Sequence, residues 1–144
     1  MSVIQTSPFD AFEVLKNDKN SILVDVRTFE EFNFVGFVNP SAFDDRMILL
    51  PWQLYPEMSE NSEFATSLEE AVNHLLPNFD KEKVKIFFLC RTGGRSNAAA
   101  GYAVNLGYKN CYNITAGFEG ELNAGNHRGM VNGWKASHLP WGQK

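Results

Sequence analysis

The reactive chemistry of this chain concentrates in seven consecutive residues, Cys90-Arg91-Thr92-Gly93-Gly94-Arg95-Ser96. A cysteine thiolate is a nucleophile, and everything around this one favours a negative sulfur. Gly93 and Gly94 allow a tight curl with positive φ. Successive N–H groups in such a curl form a nest for an anion. Arg91 and Arg95 supply two permanent positive charges. The residues that follow read as a helix, whose N-terminal donors and dipole act in the same sense. Cysteines in such settings are reactive, whereas a buried structural cysteine is inert. The inert reading suits a lone cysteine in a strand, but it leaves the glycines, the arginines and the helix start without a purpose. A thiolate in an anion cradle can attack phosphorus, or attack sulfur and carry it as a persulfide.

Each neighbour has a chemical and a plain reading. Arg91 and Arg95 match the oxyanion of a small substrate, because a guanidinium grips such groups with two bonds; either could instead pair with a carboxylate, and Arg95 could serve the loop from its C-terminal end. Thr92, Gly93, Gly94 and Ser96 offer backbone N–H groups, and Thr92 or Ser96 a hydroxyl. Ser96 fits a helix cap equally well. Asp25 and Arg27 fall at the end of an apolar run, on the same rim as Cys90 if the sheet is parallel. Their plain reading is structural, with Arg27 paired to Glu30 or Glu31 and Asp25 accepting loop N–H groups. His74, His127 and His138 show no metal-ligand spacing, with or without the cysteines, so no metal is expected. Cys111 reads as a core residue, and as a resolving thiol only within disulfide reach of Cys90.

The elements that must position these residues alternate between strand and helix, which predicts an α/β fold with a mainly parallel central sheet. Ser7-Pro8 reads as a cap and first turn of a helix, with Phe9, Phe12 and Leu15 on its apolar face. Ile22–Val26 reads as a buried strand. Thr28 and Glu31 form a capping box for a short helix carrying Phe32. The segment from Asn39 to Asn61, with Pro40, Phe43, Pro51, Trp52, Tyr55 and Pro56, reads as an ordered loop with short helical turns. A helix is expected from Ser62 to Leu76, with Phe64, Leu68, Val72 and Leu75 on one face and Pro77 as its stop. Val84–Leu89 is a strand that runs directly into Cys90. Asn97–Leu106 is a helix closed by Gly107, and Cys111–Ile114 a last strand. The aromatics, among them Phe87, Phe88, Trp134 and Trp141, are mostly core, while Trp52 and Phe118 suit a pocket mouth.

Composition bounds what this site can serve. The chain has 144 residues, 44% apolar and 21% charged, enough to build a core in a single domain. Its net charge of −4 provides no excess of cations to neutralise nucleic-acid phosphates. No apolar run reaches the ~20 residues of a membrane span, and the N-terminus has no signal-peptide pattern. Two cysteines make no disulfide scaffold, so a reducing cytoplasm is the expected location.

The Cys90–Ser96 segment resembles the active-site loop of rhodanese-like sulfurtransferases. The likeness extends to Leu23-Val24-Asp25-Val26-Arg27 with Glu30-Glu31-Phe32 and Gly36, then to Gly107-Tyr108, Asn113, Gly117-Phe118-Glu119-Gly120 and Trp134. It implies one rhodanese domain over residues 7–141, with helices on both faces of the sheet. It further implies a sulfurtransferase in which Cys90 takes sulfane sulfur from a small anionic donor such as thiosulfate. The Cys90 persulfide then passes the sulfur to a thiophilic acceptor, either cyanide, a thiol or a protein cysteine, without metal or cofactor. Related phosphatases share the fold but place five residues between cysteine and arginine; here there are four. A rhodanese-like binding or regulatory module without turnover is the other alternative, and such modules have often lost the cysteine that is present here. The sequence departs from the family pattern at Gly36-Phe37, where Gly-His is usual, and at Asn39-Pro40, where Gly-Ala is common. The segment 39–61 is expected to shape access.

Overall fold

A computed structural model describes residues 2–54 and 57–143. In chain order the elements are β1 (Ile4–Thr6), α1 (Pro8–Asn17), β2 (Ser21–Asp25), α2 (Phe29–Val35), β3 (Phe37–Val38), a 3-10 turn (Pro40–Phe43) and β4 (Met47–Leu49). There follow β5 (Gln53–Leu54), β6 (Ser59–Glu60), α3 (Phe64–Leu75), β7 (Lys85–Leu89), α4 (Gly94–Asn105), β8 (Asn110–Ile114), α5 (Gly133–Ala136) and β9 (Trp141–Gly142). The central sheet has the order β1-β8-β7-β2-β4, and every pairing in it is parallel. It is an α/β fold with helices on both faces.

The alternation of side chains along each strand divides the core. Ile22 and Val24 of β2 and Ile86 and Phe88 of β7 face α3 and α4, where they meet Phe64, Leu68, Val72, Ala99, Ala100 and Ala103. Leu23, Phe87, Leu89 and Ile114 face the other way, onto Ala11, Phe12 and Leu15 of α1 and Trp134 of α5. The alanines of α4 let that helix lie close against β7 and β8. Trp134 packs edge-on to Phe12, with ring centroids 5.8 Å apart, and its indole N–H donates to the Pro140 carbonyl at 2.9 Å.

Several expectations need correction. Phe9 is 57% exposed, because the buried stripe of α1 runs through Pro8, Ala11, Phe12 and Leu15. At about 100° per residue Phe9 falls to one side of that stripe. The segment 39–61 is more regular than a loop. Met47–Leu49 is a fourth core strand, paired with β2 from Leu23↔Met47 to Asp25↔Leu49, and Gln53–Leu54 pairs antiparallel with Ser59–Glu60. Tyr55 and Pro56 lie outside the described residues. Ile4–Thr6, unassigned from sequence, is the edge strand beside β8. Trp141 is 40% exposed rather than core. The helix after the cysteine begins at Gly94, three residues earlier than expected, because Gly93 turns the chain in a left-handed conformation (φ 110°) and serves as its cap. Arg95 and Ser96 therefore belong to the first turn of α4.

The parallel sheet sets the position of the site. Asp25 lies opposite Leu89 in the β2–β7 register, and Phe88 opposite Asn113 in β7–β8. The segments that leave the carboxyl ends of β2, β7 and β8 therefore converge on one rim, where ligands of open α/β sheets bind.

Candidate active site

Cys90 is the first residue beyond β7, and only 1% of it is exposed. The Gly93 N–H donates to its Sγ at 3.1 Å, and the Ser96 hydroxyl lies 3.2 Å from the same sulfur. Both contacts follow from the curl. The left-handed Gly93 turns its own N–H back onto the sulfur, and the early start of α4 carries buried Ser96 over it. Ser96 is thus no helix cap. Its oxygen also lies 2.5 Å from Asn113 Oδ1 in β8. The Asn113 Nδ2 donates to Gln5 in β1, and the Gln5 Nε2 donates to Asn97 in α4. The polar groups behind the sulfur therefore form a continuous chain out to the surface. Thr92 and Gly94 are exposed on the outer side of the curl.

The segment after β8 braces the loop from outside. The Phe118 N–H donates to the Cys90 carbonyl at 2.8 Å, and the Glu119 N–H to the Arg91 carbonyl at 3.0 Å. Gly117 makes this close approach possible. Its φ is 63°, and a Cβ there would come within 2.6 Å of the backbone of Cys90 and Arg91.

Both loop arginines are engaged. The Arg95 Nη1 and Nη2 donate to Glu31 Oε1 and Oε2 at 2.5 and 2.7 Å. Glu31 also closes the α2 capping box, accepting from the N–H of Thr28 while its own N–H donates to the Thr28 hydroxyl. Burial opposes ionisation of Glu31, but the hydrogen bonds and charge of Arg95 outweigh it, and the carboxyl is held below its usual range. Those same hydrogen bonds hold Arg95 above its ordinary value. Arg91, about half exposed, places its Nε 3.1 Å from Glu119 Oε2. The cleft over the loop is lined by Thr28, Glu30, Glu31, Val35, Met58, Arg91, Arg95 and Glu119.

Asp25 and Arg27 sit behind this cleft, fully buried. Arg27 donates from Nε at 3.0 Å and from Nη2 at 2.8 Å to Asp25, rather than to Glu30 or Glu31. Its Nη2 also holds the Gly36 carbonyl at 2.9 Å, and its guanidinium lies 4.4 Å from the centre of the Phe118 ring. Asp25 accepts the Arg27 N–H at 3.1 Å. This pair ties the end of β2 to the exit of α2 and to the brace after β8. Glu31 is taken by Arg95 and the helix cap, which leaves Asp25 as the partner of Arg27.

Trp52 and Phe118 do not line the mouth. Trp52 packs edge-on to Phe64 at 5.0 Å, beside a separate cleft with Tyr102, and Phe118 is buried beneath Arg27. Cys111 lies opposite Ile86, four residues before Cys90 along β7. At about 3.3 Å per residue that is ~13 Å, beyond the ~7 Å limit between Cα atoms of a disulfide. Burial pushes the Cys111 thiol up to about 12. The three histidines are exposed.

Glu31, Glu119, Asn113 and Gln5 are the site residues that the sequence did not assign. Glu31 carried a signal, but its capping role absorbed it. Asn113 reaches Ser96 only because β8 lies beside β7.

A family model for the rhodanese-like domain matches residues 9–124. An uncharacterized protein of Rickettsia rickettsii, the RP600 homolog, is 40% identical over 141 residues, 98% of each chain. The crystal structure of Rv0390 from M. tuberculosis superposes with a TM-score of 0.85 at 33% identity, over the full length of both chains. The adenylyltransferase and sulfurtransferase UBA4 of Candida albicans is 28% identical over 115 residues, which is 80% of this chain and 22% of that protein. No helix among the described residues is long and apolar enough to cross a membrane.

Proposed function

The chain belongs to the rhodanese-like domain family, and from that premise we propose that it transfers sulfane sulfur through a persulfide on Cys90. The carrying observation is the sulfur's setting. Cys90 Sγ receives the Gly93 N–H and lies in reach of the Ser96 hydroxyl, at the N-terminus of the twelve-residue α4. Hydrogen-bond donors and a positive helix end stabilise a thiolate, and they equally stabilise the terminal sulfur of a persulfide.

In the first half-reaction the Cys90 thiolate attacks the outer sulfur of a donor. With thiosulfate, a new S–S bond forms, the donor S–S bond breaks, and sulfite leaves with the bonding pair. In the second, a thiophilic acceptor such as cyanide, a thiol or a protein cysteine attacks the terminal sulfur and returns the thiolate. Sulfane sulfur keeps its oxidation level throughout, so the scheme calls for no redox partner, metal or organic cofactor. The sulfurtransferase name carried by the Candida relative supports this reading. A phosphatase needs an arginine free for a phosphoryl dianion, and here Glu31 occupies Arg95. A silent binding module would have no use for the donors trained on Cys90.

The test is the intact mass of the protein after incubation with a panel of sulfane donors under non-reducing conditions. The expected result is a gain of one sulfur atom, reversed by cyanide and absent in Cys90→Ser. A folded protein that takes sulfur from no donor is a binding module, and release of phosphate from an aryl phosphate in its place marks a phosphatase.

A further inference from the structure

A second cleft lies beside α4, and its lining shares no residue with the cleft over the cysteine loop. It is lined by Trp52, Phe64 and Tyr102, with Glu60 from β6 and Ala98 and Asn105 from α4. It measures about 440 Å³, within the range of ligand sites. The three rings touch one another. Trp52 lies 5.0 Å from Phe64 and 5.5 Å from Tyr102 between centroids, and Phe64 lies 6.2 Å from Tyr102, with the planes steeply inclined in each pair.

Core packing does not account for this cluster. The buried face of α4 runs through Ser96, Ala99, Ala100 and Ala103. Ala98, Tyr102 and Asn105 follow one another at spacings of four and three residues, so they share a different face. Tyr102 is 40% exposed, and Trp52 is partly so. Ala98, exposed and small, leaves open space next to the rings. Backbone bonds fix the opposite wall. The Trp52 N–H donates to the Val26 carbonyl at 3.1 Å, and the Asn61 N–H to the Trp52 carbonyl at 3.0 Å. The cleft is therefore formed before any ligand arrives.

Its charge has one sign. Glu60 is the charged side chain in the lining, and no cationic one lines it among the described residues. The start of α3 and the end of α4 both border the cleft, and their dipoles oppose each other. Few directed hydrogen bonds are on offer. Asn61 uses its Oδ1 for the Glu63 N–H and its Nδ2 for the Pro51 carbonyl, each at 3.0 Å. Ser62, Tyr102 and Asn105 are exposed, where water competes for them.

We propose that this cleft binds an organic cation whose charge sits on an alkylated nitrogen, a quaternary ammonium above all. Ring faces attract such a cation through their quadrupoles, and the Glu60 carboxylate adds to that attraction. Its methyl groups bury apolar surface against Trp52 and Tyr102. It carries no N–H that needs an acceptor. A primary ammonium is strongly hydrated and would leave water for a site that replaces few of its hydrogen bonds.

The experiment titrates the full chain and follows the indole N–H resonances by NMR. The Trp134 indole, bonded to the Pro140 carbonyl, is the internal control for an intact fold. The probes are choline, its neutral isostere 3,3-dimethylbutan-1-ol, ethanolamine, and a capped trimethyllysine. Choline is expected to shift the Trp52 resonance saturably and leave Trp134 unmoved. The isostere and ethanolamine should each bind about tenfold more weakly, a factor within the range of a cation–π contact. Glu60→Gln should weaken choline several-fold. Ala98→Leu, a change at an exposed position that fills the cleft, should abolish the shift. The ratio of choline to trimethyllysine affinity tells a free small cation from a methylated side chain of another protein. An isostere or ethanolamine that binds as tightly as choline overturns the proposal. So does a Trp52 resonance that neither methylated cation moves, or choline binding that both variants leave unchanged.

Discussion

The hydroxyl of Ser96 stands between two acceptors, 3.2 Å from the sulfur of Cys90 and 2.5 Å from the side-chain oxygen of Asn113, and it has one hydrogen to give. When the sulfur is anionic the hydrogen goes to it, because charge-assisted bonds are about twice as strong as neutral ones. Asn113 must then turn its amide nitrogen towards Ser96. Gln5 and Asn97 can reverse with it, since every member of that chain both donates and accepts.

Ser96→Ala should therefore slow alkylation of Cys90 at neutral pH, and sulfur loading with it, by roughly tenfold. That matches the lower end of what a hydrogen bond to a charged group is worth. Asn113→Asp should act in the same direction, because a carboxylate accepts the Ser96 hydrogen and cannot return one. Rates unchanged in both variants would reduce Ser96 to a packing residue.

The two loop glycines are unequal. Gly93 has φ 110°, where an L side chain is strained, while Gly94 has ordinary helical geometry and open space where a Cβ would lie. Gly93→Ala should cost roughly 1–2 kcal/mol of stability and move the N–H that faces the sulfur. Gly94→Ala should be neutral or gain up to about 1 kcal/mol from helix propensity. Urea denaturation of both variants checks the contrast, and equal losses would contradict it.

The Glu31–Arg95 pair has a pH signature. The carboxyl of Glu31 is lower in the folded chain than its ordinary value of 4.5. The unfolded chain therefore binds its proton first as the pH falls. The stabilisation is complete above 4.5 and disappears as the pH drops through the lower, folded value. Glu31→Gln should be less stable than the parent at pH 7, and the two should approach each other in acid. A difference that stays constant from pH 7 down to pH 3 would show that the variant acts through packing alone.

Cys111 should take no part in sulfur transfer. It is buried, its thiol is pushed up to about 12, and the sheet register holds it about four residues along the strand from Cys90. Mild oxidation of the native chain should produce no internal disulfide. Cys111→Ala should load and release sulfur at the parental rate. A mass loss of two hydrogens on oxidation, absent in Cys111→Ala, would place the two sulfurs together after all.

Much of this protein is written locally. The Ser7 cap, the Thr28–Glu31 box, the Ile22–Val26 and Val84–Leu89 runs and the glycine curl after Cys90 are each set by neighbours within a few residues. Steric limits on φ, helix capping and side-chain alternation act at that range, so the α/β class and the curl after Cys90 were legible. β4 was not, because Met47–Leu49 is short and becomes a strand only where β2 offers it an edge. The partners of the charged side chains were not legible either. Arg95 and Glu31 are 64 residues apart in the chain, and no spacing rule links them. Sequence determined which thiol the glycine loop curls around, through backbone sterics. Tertiary structure decided how the loop arginines are paired, because the converging strand ends of a parallel sheet bring Glu31 and Glu119 onto them.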